Sequence, residues 1–398
     1  MSGLAIFLLK YPSLLAYDQH REEIADNMES LFQISKAPCD TYLRERLDQI
    51  DPKSLRRCFT KLFANLQRSK YLEHFISFRG KYLLSIDGSG HFSSKQVHCD
   101  QCCQKKHRDG TTTYYHQVLQ AAIVHPEIKQ VVPLAPEPIT KQDGAKKNDC
   151  ERNAAKRLLA DFRREHPKLD VIVLLDALYA NAPLLEELQR HKIDYIINCK
   201  PGDHAWLFDY VNNADQATHT IVQEDYRHDF MYVNDAPLNE ANEDVKINFL
   251  QHTETSCKGV QKTFTWITNF KLTEGIVYEV MRAGRARWRI ENEVFNTLKN
   301  QGYQFEHNFG HGYKHLSSVF SHLVLLAFLI DQLQELACGV FQSALIAMQR
   351  KSYLWKRVLG IFFEFSISNW DSLYEGIYKA KMKTKEKTRI KPAWYDSS

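Results

Sequence analysis

Apolar side chains at positions 55, 58, 59, 62, 63 and 66 fall on one stripe at helical spacing, and the polar residues between them take the opposite face. With the similar patterning before it, this predicts an all-helical segment over residues 1–76. The period then changes. Tyr82-Leu-Leu-Ser-Ile-Asp87 is a short apolar run ahead of Gly88-Ser-Gly90, which predicts a buried strand ending at Asp87 and a turn after it. Thr111 to Val124, with Tyr114, Tyr115, Val118 and Ile123, and Gln130 to Leu134 predict two more strands. Asp149 reads as the N-cap of a helix running to Glu165, with Ala154, Ala155, Leu158, Leu159 and Phe162 on its buried stripe. Glu151 then reads as a first-turn acid that complements the helix dipole. Leu169 to Asp176 is a strand with an acid at its end, followed by a helix from Pro183 to His191 and a strand from Tyr195 to Cys199.

The order strand, strand, strand, helix, strand, helix, strand folds into a central mixed sheet with helices on its faces, an α/β class. If the first and fourth strands are parallel neighbours, Asp87 and Asp176 meet at the sheet edge where open α/β sheets carry ligands. Residues 201–270 are polar and locally acidic, with strand-like Ile221, Tyr232 and Thr263-Phe-Thr-Trp-Ile267, and read as a β-rich insertion. Helical patterning returns near Glu274 and, with a break near Gly302 to Gly312, continues to Trp370. The predicted organisation is an N-terminal helical domain at 1–76, a core in two parts at 77–200 and 271–375, the insertion at 201–270 and a basic tail at 376–398.

Composition adds exclusions. The charged and hydrophobic shares are those of a globular protein, so disordered and collagen-like classes fall away. No apolar run approaches the roughly 18 residues of a membrane span, and the longest, Leu323 to Ile330, reads as a buried helix segment. Leu4 to Leu9 has no basic residue before it and no small-residue cleavage site, so no signal peptide is expected. Nine cysteines, an odd number, fit a reducing compartment and place the protein in the cytoplasm. A net charge of +4 is too small to attract a polyanion by itself. Basic side chains are instead clustered: Lys95 to Arg108, the arginines 282, 285, 287 and 289, and Lys379 to Lys391.

A third acid comes from Arg287-Trp-Arg-Ile-Glu-Asn-Glu-Val-Phe-Asn-Thr-Leu-Lys299. On an α-helical wheel Trp288, Val294, Phe295 and Leu298 centre near Glu291, while Glu293 points away. A carboxylate on an apolar stripe needs a cation, which Arg287 one turn earlier or a metal ion can supply. Three converging acids suit Mg2+ or Mn2+ and two-metal phosphodiester chemistry. Arg285, Arg287 and Arg289, with Lys299 and with Lys105 and Lys106, are the candidate phosphate contacts. Two further sets carry metal-binding residue types. Cys99 and Cys102 have the C-x2-C spacing of a zinc half-site, with His107 as a third ligand and His116 or Cys150 as further donors; reduced, unliganded cysteines are the other reading. His307, His311 and His315 recur every four residues, but Gly310 and Gly312 indicate a turn, so core packing or DNA contact is expected of them. Trp266 and Trp288 are expected in the core.

Ile86-Asp87-Gly88-Ser89, Asp176-Ala-Leu-Tyr-Ala-Asn-Ala-Pro183 and Arg287-Trp-Arg-Ile-Glu-Asn-Glu resemble the three acidic motifs of bacterial insertion-sequence DDE transposases of the cut-and-paste type. Asp149-Cys-Glu151, Thr265-Trp-Ile-Thr-Asn269 and Glu306-His-Asn-Phe-Gly-His311 extend the resemblance over roughly residues 30–375. It implies an RNase H-like mixed sheet with flanking helices and a β-rich insertion. It also implies Asp87, Asp176 and Glu291 as catalytic metal ligands for Mg2+ or Mn2+, transposon ends and target DNA as partners, and a homodimer on DNA at the bacterial nucleoid. The third motif departs from the pattern. Where relatives often place Tyr and Lys, counting from Glu291 gives Gly284 and Leu298, with Lys299 one further on; counting from Glu293 gives Ala286 and Asn300. The alternatives are a related metal-dependent nuclease and an inactive zinc-containing DNA-binding derivative with vestigial acids.

Overall fold

The computed structural model describes residues 1–141, 150–223 and 225–387, so Asp149 and the basic tail past residue 387 lie outside the described residues. The chain forms two compact units: one from residues 1–66, 90–116 and 295 onward, the other from 67–89 and 117–294.

Eleven strands occur among the described residues: β1 (Tyr82–Ser94), β2 (Cys103–Lys106), β3 (Thr112–Val124), β4 (Val132–Pro133), β5 (Glu137–Ile139), β6 (Val171–Leu175), β7 (Asp194–Asn198), β8 (Ala217–Gln223), β9 (Tyr226–Asn239), β10 (Asn242–Ser256) and β11 (Gln261–Thr268). They join in one mixed sheet of order β2-β3-β1-β6-β7-β11-β10-β9-β8, with β4 and β5 paired to β3. The α/β class holds. In the second unit β1, β6 and β7 are parallel neighbours. β6 is buried along its whole length, as a central parallel strand must be. The β-rich segment is not a separate body: β11 pairs antiparallel with β7, and β10, β9 and β8 extend the same sheet.

One expectation fails here. Gly88-Ser-Gly90 is not a turn, because β1 runs straight through it to Ser94. The glycine at 88 serves a close approach instead, since a Cβ there would stand 2.6 Å from the Glu151 carboxyl. The helix Glu151–Glu165 begins after Cys150, whose side chain makes no capping bond. Its stripe of Ala154, Ala155, Leu158, Leu159 and Phe162 is buried as expected.

The first unit is helical, with Ser2–Leu8, Leu14–His20, Ala25–Phe32 and Asp40–Asp48 at the N-terminal end and Leu316–Ala337, Gly339–Met348, Lys351–Glu364 and Trp370–Lys387 at the other. Leu316–Ala337 is its core. By length and mean hydropathy this helix could cross a membrane, contrary to the run-length reading of the sequence, but 89% of its apolar window is buried inside the protein. Asp48 caps it across the fold: its carboxylate accepts the N–H groups of Tyr313, Lys314, His315 and Leu316 at 2.9–3.0 Å. Burial would push this carboxyl up, but the four N–H bonds prevail and hold it below the usual range. Lys10 and Asp331 form a buried ion pair at 2.8 Å, to which Tyr303 adds a hydroxyl donor at 2.5 Å.

Candidate active site

The register of β1 and β6 positions the first two acids. Tyr82 pairs with Val171 and Ser85 with Leu174; Asp87 follows two residues beyond the last of these pairs on β1, and Asp176 directly follows Leu175, the last residue of β6. The two carboxylates lie close enough for Asp176 to help raise the Asp87 carboxyl. Asp176 stops β6 by capping the 3-10 turn Ala177–Tyr179: its carboxylate accepts Leu178 N–H at 3.0 Å. Asp87 accepts the N–H of Gly88 at 2.8 Å, which is available because β1 does not turn there.

The third acid arrives on a π-helix, Ile290–Phe295, following the helix Glu274–Arg285. Arg287 bridges the acids. Its Nη2 donates to Glu291 Oε1 at 2.6 Å and its Nη1 to Asp87 Oδ2 at 3.4 Å, and its own carbonyl accepts the Ser85 hydroxyl at 3.2 Å. The same side chain, expected to contact DNA phosphate, is thus buried among the acids. Glu293 lies on another pair, with Arg289 at 3.4 Å. A π-helix takes more residues per turn than the wheel assumes, which explains a second correction. Val294, Phe295 and Leu298 are buried as expected, but Trp288 is 52% exposed while Trp266 is in the core. The departure at Gly284 also has a cause: a Cβ there would lie 2.6 Å from the Trp266 indole nitrogen, so no tyrosine fits between this helix and β11.

Burial pushes the Asp87 carboxyl up to about 6; Glu291 and Asp176 add to the rise, and Arg287 and the Gly88 N–H oppose it. A fourth acid is present. Glu151 sits over Gly88, accepts the Tyr179 hydroxyl at 3.3 Å, and is raised by burial and then by Asp176. Tyr179 is itself raised by burial and then by Glu151, Asp176 and Asp87. Helical pattern assigns Glu151 to the first helical turn, where it does stand; only the resemblance of Asp149-Cys-Glu151 to the transposase stretches singles it out further. Oxygen donors alone, gathered where one buried guanidinium leaves Asp87 still hard to ionise, fit a hard divalent cation.

The other basic candidates are paired at the surface. Arg285 binds Glu254 at 2.5 Å and lies over the Phe264 ring, Arg289 donates to the Pro126 carbonyl at 2.8 Å, and Lys299 binds Glu306 at 2.8 Å. Lys105 and Lys106 are exposed on β2. A cleft of about 460 Å3 is lined by Arg282, Arg285, Arg289, Trp288 and Tyr278.

In the first unit Cys99 and Cys102 come together with His116 and His311, all four buried. His107 is elsewhere, bonded to Thr113 at 2.7 Å, and Cys150 is exposed outside the cluster. His311, expected to pack or to touch DNA, is the member that sequence spacing missed. Gly310 and Gly312 do take positive φ, as the expected turn requires, and they put His311 out of any helical row with His307 and His315.

No curated protein matches this chain. Among solved structures it is similar to a piggyBac transposase synaptic complex with hairpin DNA, with 10% identity and a TM-score of 0.36. That similarity covers 85% of this chain, which spans 61% of the other. The family described as "Transposase DDE domain" matches residues 70–329, which is 260 of 398 residues and includes Asp87, Glu151, Asp176 and Glu291. This chain belongs to the DDE transposase domain family.

Proposed function

We propose that the chain is a DNA transposase that cleaves at the ends of its element and joins the freed 3′ ends to target DNA. What supports this reading is that Asp87 on β1 and Asp176 just past the end of the parallel neighbour β6 interact, with Glu291 tied to Asp87 through Arg287. Asp87, Asp176 and Glu291 would hold Mg2+ or Mn2+, and Glu151 stands beside them. Ions so bound supply an activated water or 3′ hydroxyl and stabilise the leaving oxygen of the phosphodiester. Arg287 would hold the Asp87 and Glu291 carboxylates near each other by donating to both, and the Ser85 hydroxyl donates to the backbone carbonyl of Arg287.

Arg285, Arg289 and Lys299 are in partly exposed ion pairs, which contribute about 0–1 kcal/mol each and exchange readily for DNA phosphates. Lys105 and Lys106 add contacts on β2. Trp288 between the arginines offers an exposed ring for stacking on an unpaired base. Residues 1–76 would recognise the element ends, the basic tail at 376–398 would add sequence-independent phosphate contacts, and two protomers would hold two ends at the nucleoid.

The test incubates the purified chain with DNA carrying its own gene's flanks and Mg2+ or Mn2+, and resolves the products on a sequencing gel. Cleavage at the element boundary and joined products are expected from wild type and not from Asp87→Asn, Asp176→Asn or Glu291→Gln. Cleavage without joining would reduce the function to a metal-dependent nuclease. Binding without cleavage under either metal would overturn the proposal.

A further inference from the structure

We infer that Cys99, Cys102, His116 and His311 form a structural zinc site. Their ligand atoms lie within 4.8 Å of one another. Tetrahedral zinc with Zn–S near 2.3 Å and Zn–N near 2.0–2.1 Å requires S···S edges of about 3.8 Å and S···N edges of about 3.5 Å. The structure has 3.9 Å between the two sulfurs, 3.4 and 3.3 Å from them to His116 Nε2, and 3.2 Å from Cys102 to His311 Nε2. A disulfide is not the reason for the approach, since the sulfurs stand far beyond the roughly 2.05 Å of such a bond.

The donor set selects the metal: two thiols and two imidazoles suit tetrahedral zinc, not the Mg2+ or Mn2+ that carboxylates take. Four protein ligands leave no open position, so the site is structural rather than catalytic. Its backbone is already shaped. Cys99-Asp-Gln-Cys102 closes a tight turn in which Cys102 N–H donates to the Cys99 carbonyl at 3.2 Å and Cys99 N–H points at the Cys102 sulfur at 3.4 Å. The Phe92 ring centre lies 4.2 Å from that of His311 with the planes tilted by 35°, and Phe92 packs with both cysteines, giving the site an apolar wall. The ligands come from the turn before β2, from β3 and from the loop ahead of Leu316–Ala337, so the metal would fasten segments 209 residues apart within the first unit.

The experiment measures metal, without DNA and without activity, so its outcome is independent of the transposase reading. The full chain is purified, dialysed and analysed by plasma mass spectrometry, then stripped and refilled with Co2+. One zinc per chain is expected, along with the visible bands of tetrahedral cobalt and a thiolate-to-cobalt charge-transfer band. Cys102→Ser and His311→Ala should each lose the zinc, whereas Cys150→Ser should keep it. If the ligand variants fail to fold, the wild-type cobalt spectrum decides alone. Folded wild type with no zinc and no charge-transfer band overturns the proposal, as does zinc that survives both ligand substitutions.

Discussion

Substituting Asp87 by asparagine should stabilise the protein at neutral pH while abolishing its chemistry. The folded carboxyl is raised from 3.8 to about 6, first by burial and then by Glu291 and Asp176. At about 1.36 kcal/mol per pH unit, that rise is a penalty of about 3 kcal/mol for ionising Asp87 in the folded state. The sign is opposite to that of a salt-bridged aspartate. Between about pH 4 and 6 the folded chain binds more protons than the unfolded one, so stability falls as pH rises. The penalty is absent below about pH 4 and complete above about pH 6. Asparagine keeps the shape and still accepts the Gly88 N–H, but never ionises. At roughly 2–4 °C per kcal/mol for a unit of this size, its melting midpoint should exceed wild type by about 6–12 °C at about pH 8 and match it at about pH 4. Mg2+ should narrow the gap at the higher pH, because a cation that binds the ionised acids stabilises wild type by mass action. Melting curves of both proteins across this pH range, with and without Mg2+, provide the measurement. A variant that melts below wild type at the alkaline end, or a difference that does not change with pH, would refute the electrostatic reasoning.

Three further outcomes are expected. Gly284→Ala puts a methyl 2.6 Å from the buried Trp266 indole, and overpacking of about 1–3 kcal/mol outweighs the roughly 1 kcal/mol gained in helix propensity, so its denaturation midpoint should fall; a rise would mean the helix does not pack this closely. Asp331→Ala strands the buried Lys10 ammonium and should cost about 3–5 kcal/mol in thermal or urea unfolding, with Lys10→Met in the same chain restoring most of it. Glu291→Gln should abolish Mg2+-dependent cleavage while Glu293→Gln, whose partner is Arg289, retains it; equal loss in gel assays of both would undo the choice between them.

The elements were legible where burial alone decides them. β6 is apolar on both faces, and the stripe of the Glu151–Glu165 helix faces the core, so periodicity located both. Strand order permits β1 and β6 as parallel neighbours because crossover rules leave few topologies, and the ladder has that strand pairing. What periodicity does not reach depends on a partner distant in the chain or on a local change of helix type. Gly88 looked like a turn residue, yet its need for no side chain comes from Glu151, far along the chain. Trp288 was misplaced because the wheel assumed α-helical rotation through a π-helical turn. His311 joins Cys102 across 209 residues, a distance at which spacing rules for metal ligands carry no information. Arg287 was read both as a partner for Glu291 and as a DNA contact; only its burial separates the two.

The position of Arg287 bears on how an acidic site can fold without its metal. Half-buried carboxylates brought together repel one another, and withdrawing them from water costs free energy unless they are paired or protonated. One fixed guanidinium between Asp87 and Glu291 removes the worst of that repulsion. It does not remove all of it, since Asp87 and Glu151 both remain raised. The unmet remainder lies on the Asp176 side, where Glu151 and Tyr179 gather and no arginine reaches among the described residues. A cation gains most where charge is least neutralised. Were a divalent cation held by Asp87 and Asp176, it would supply the positive charge that is missing there, while Arg287 holds the Glu291 carboxylate.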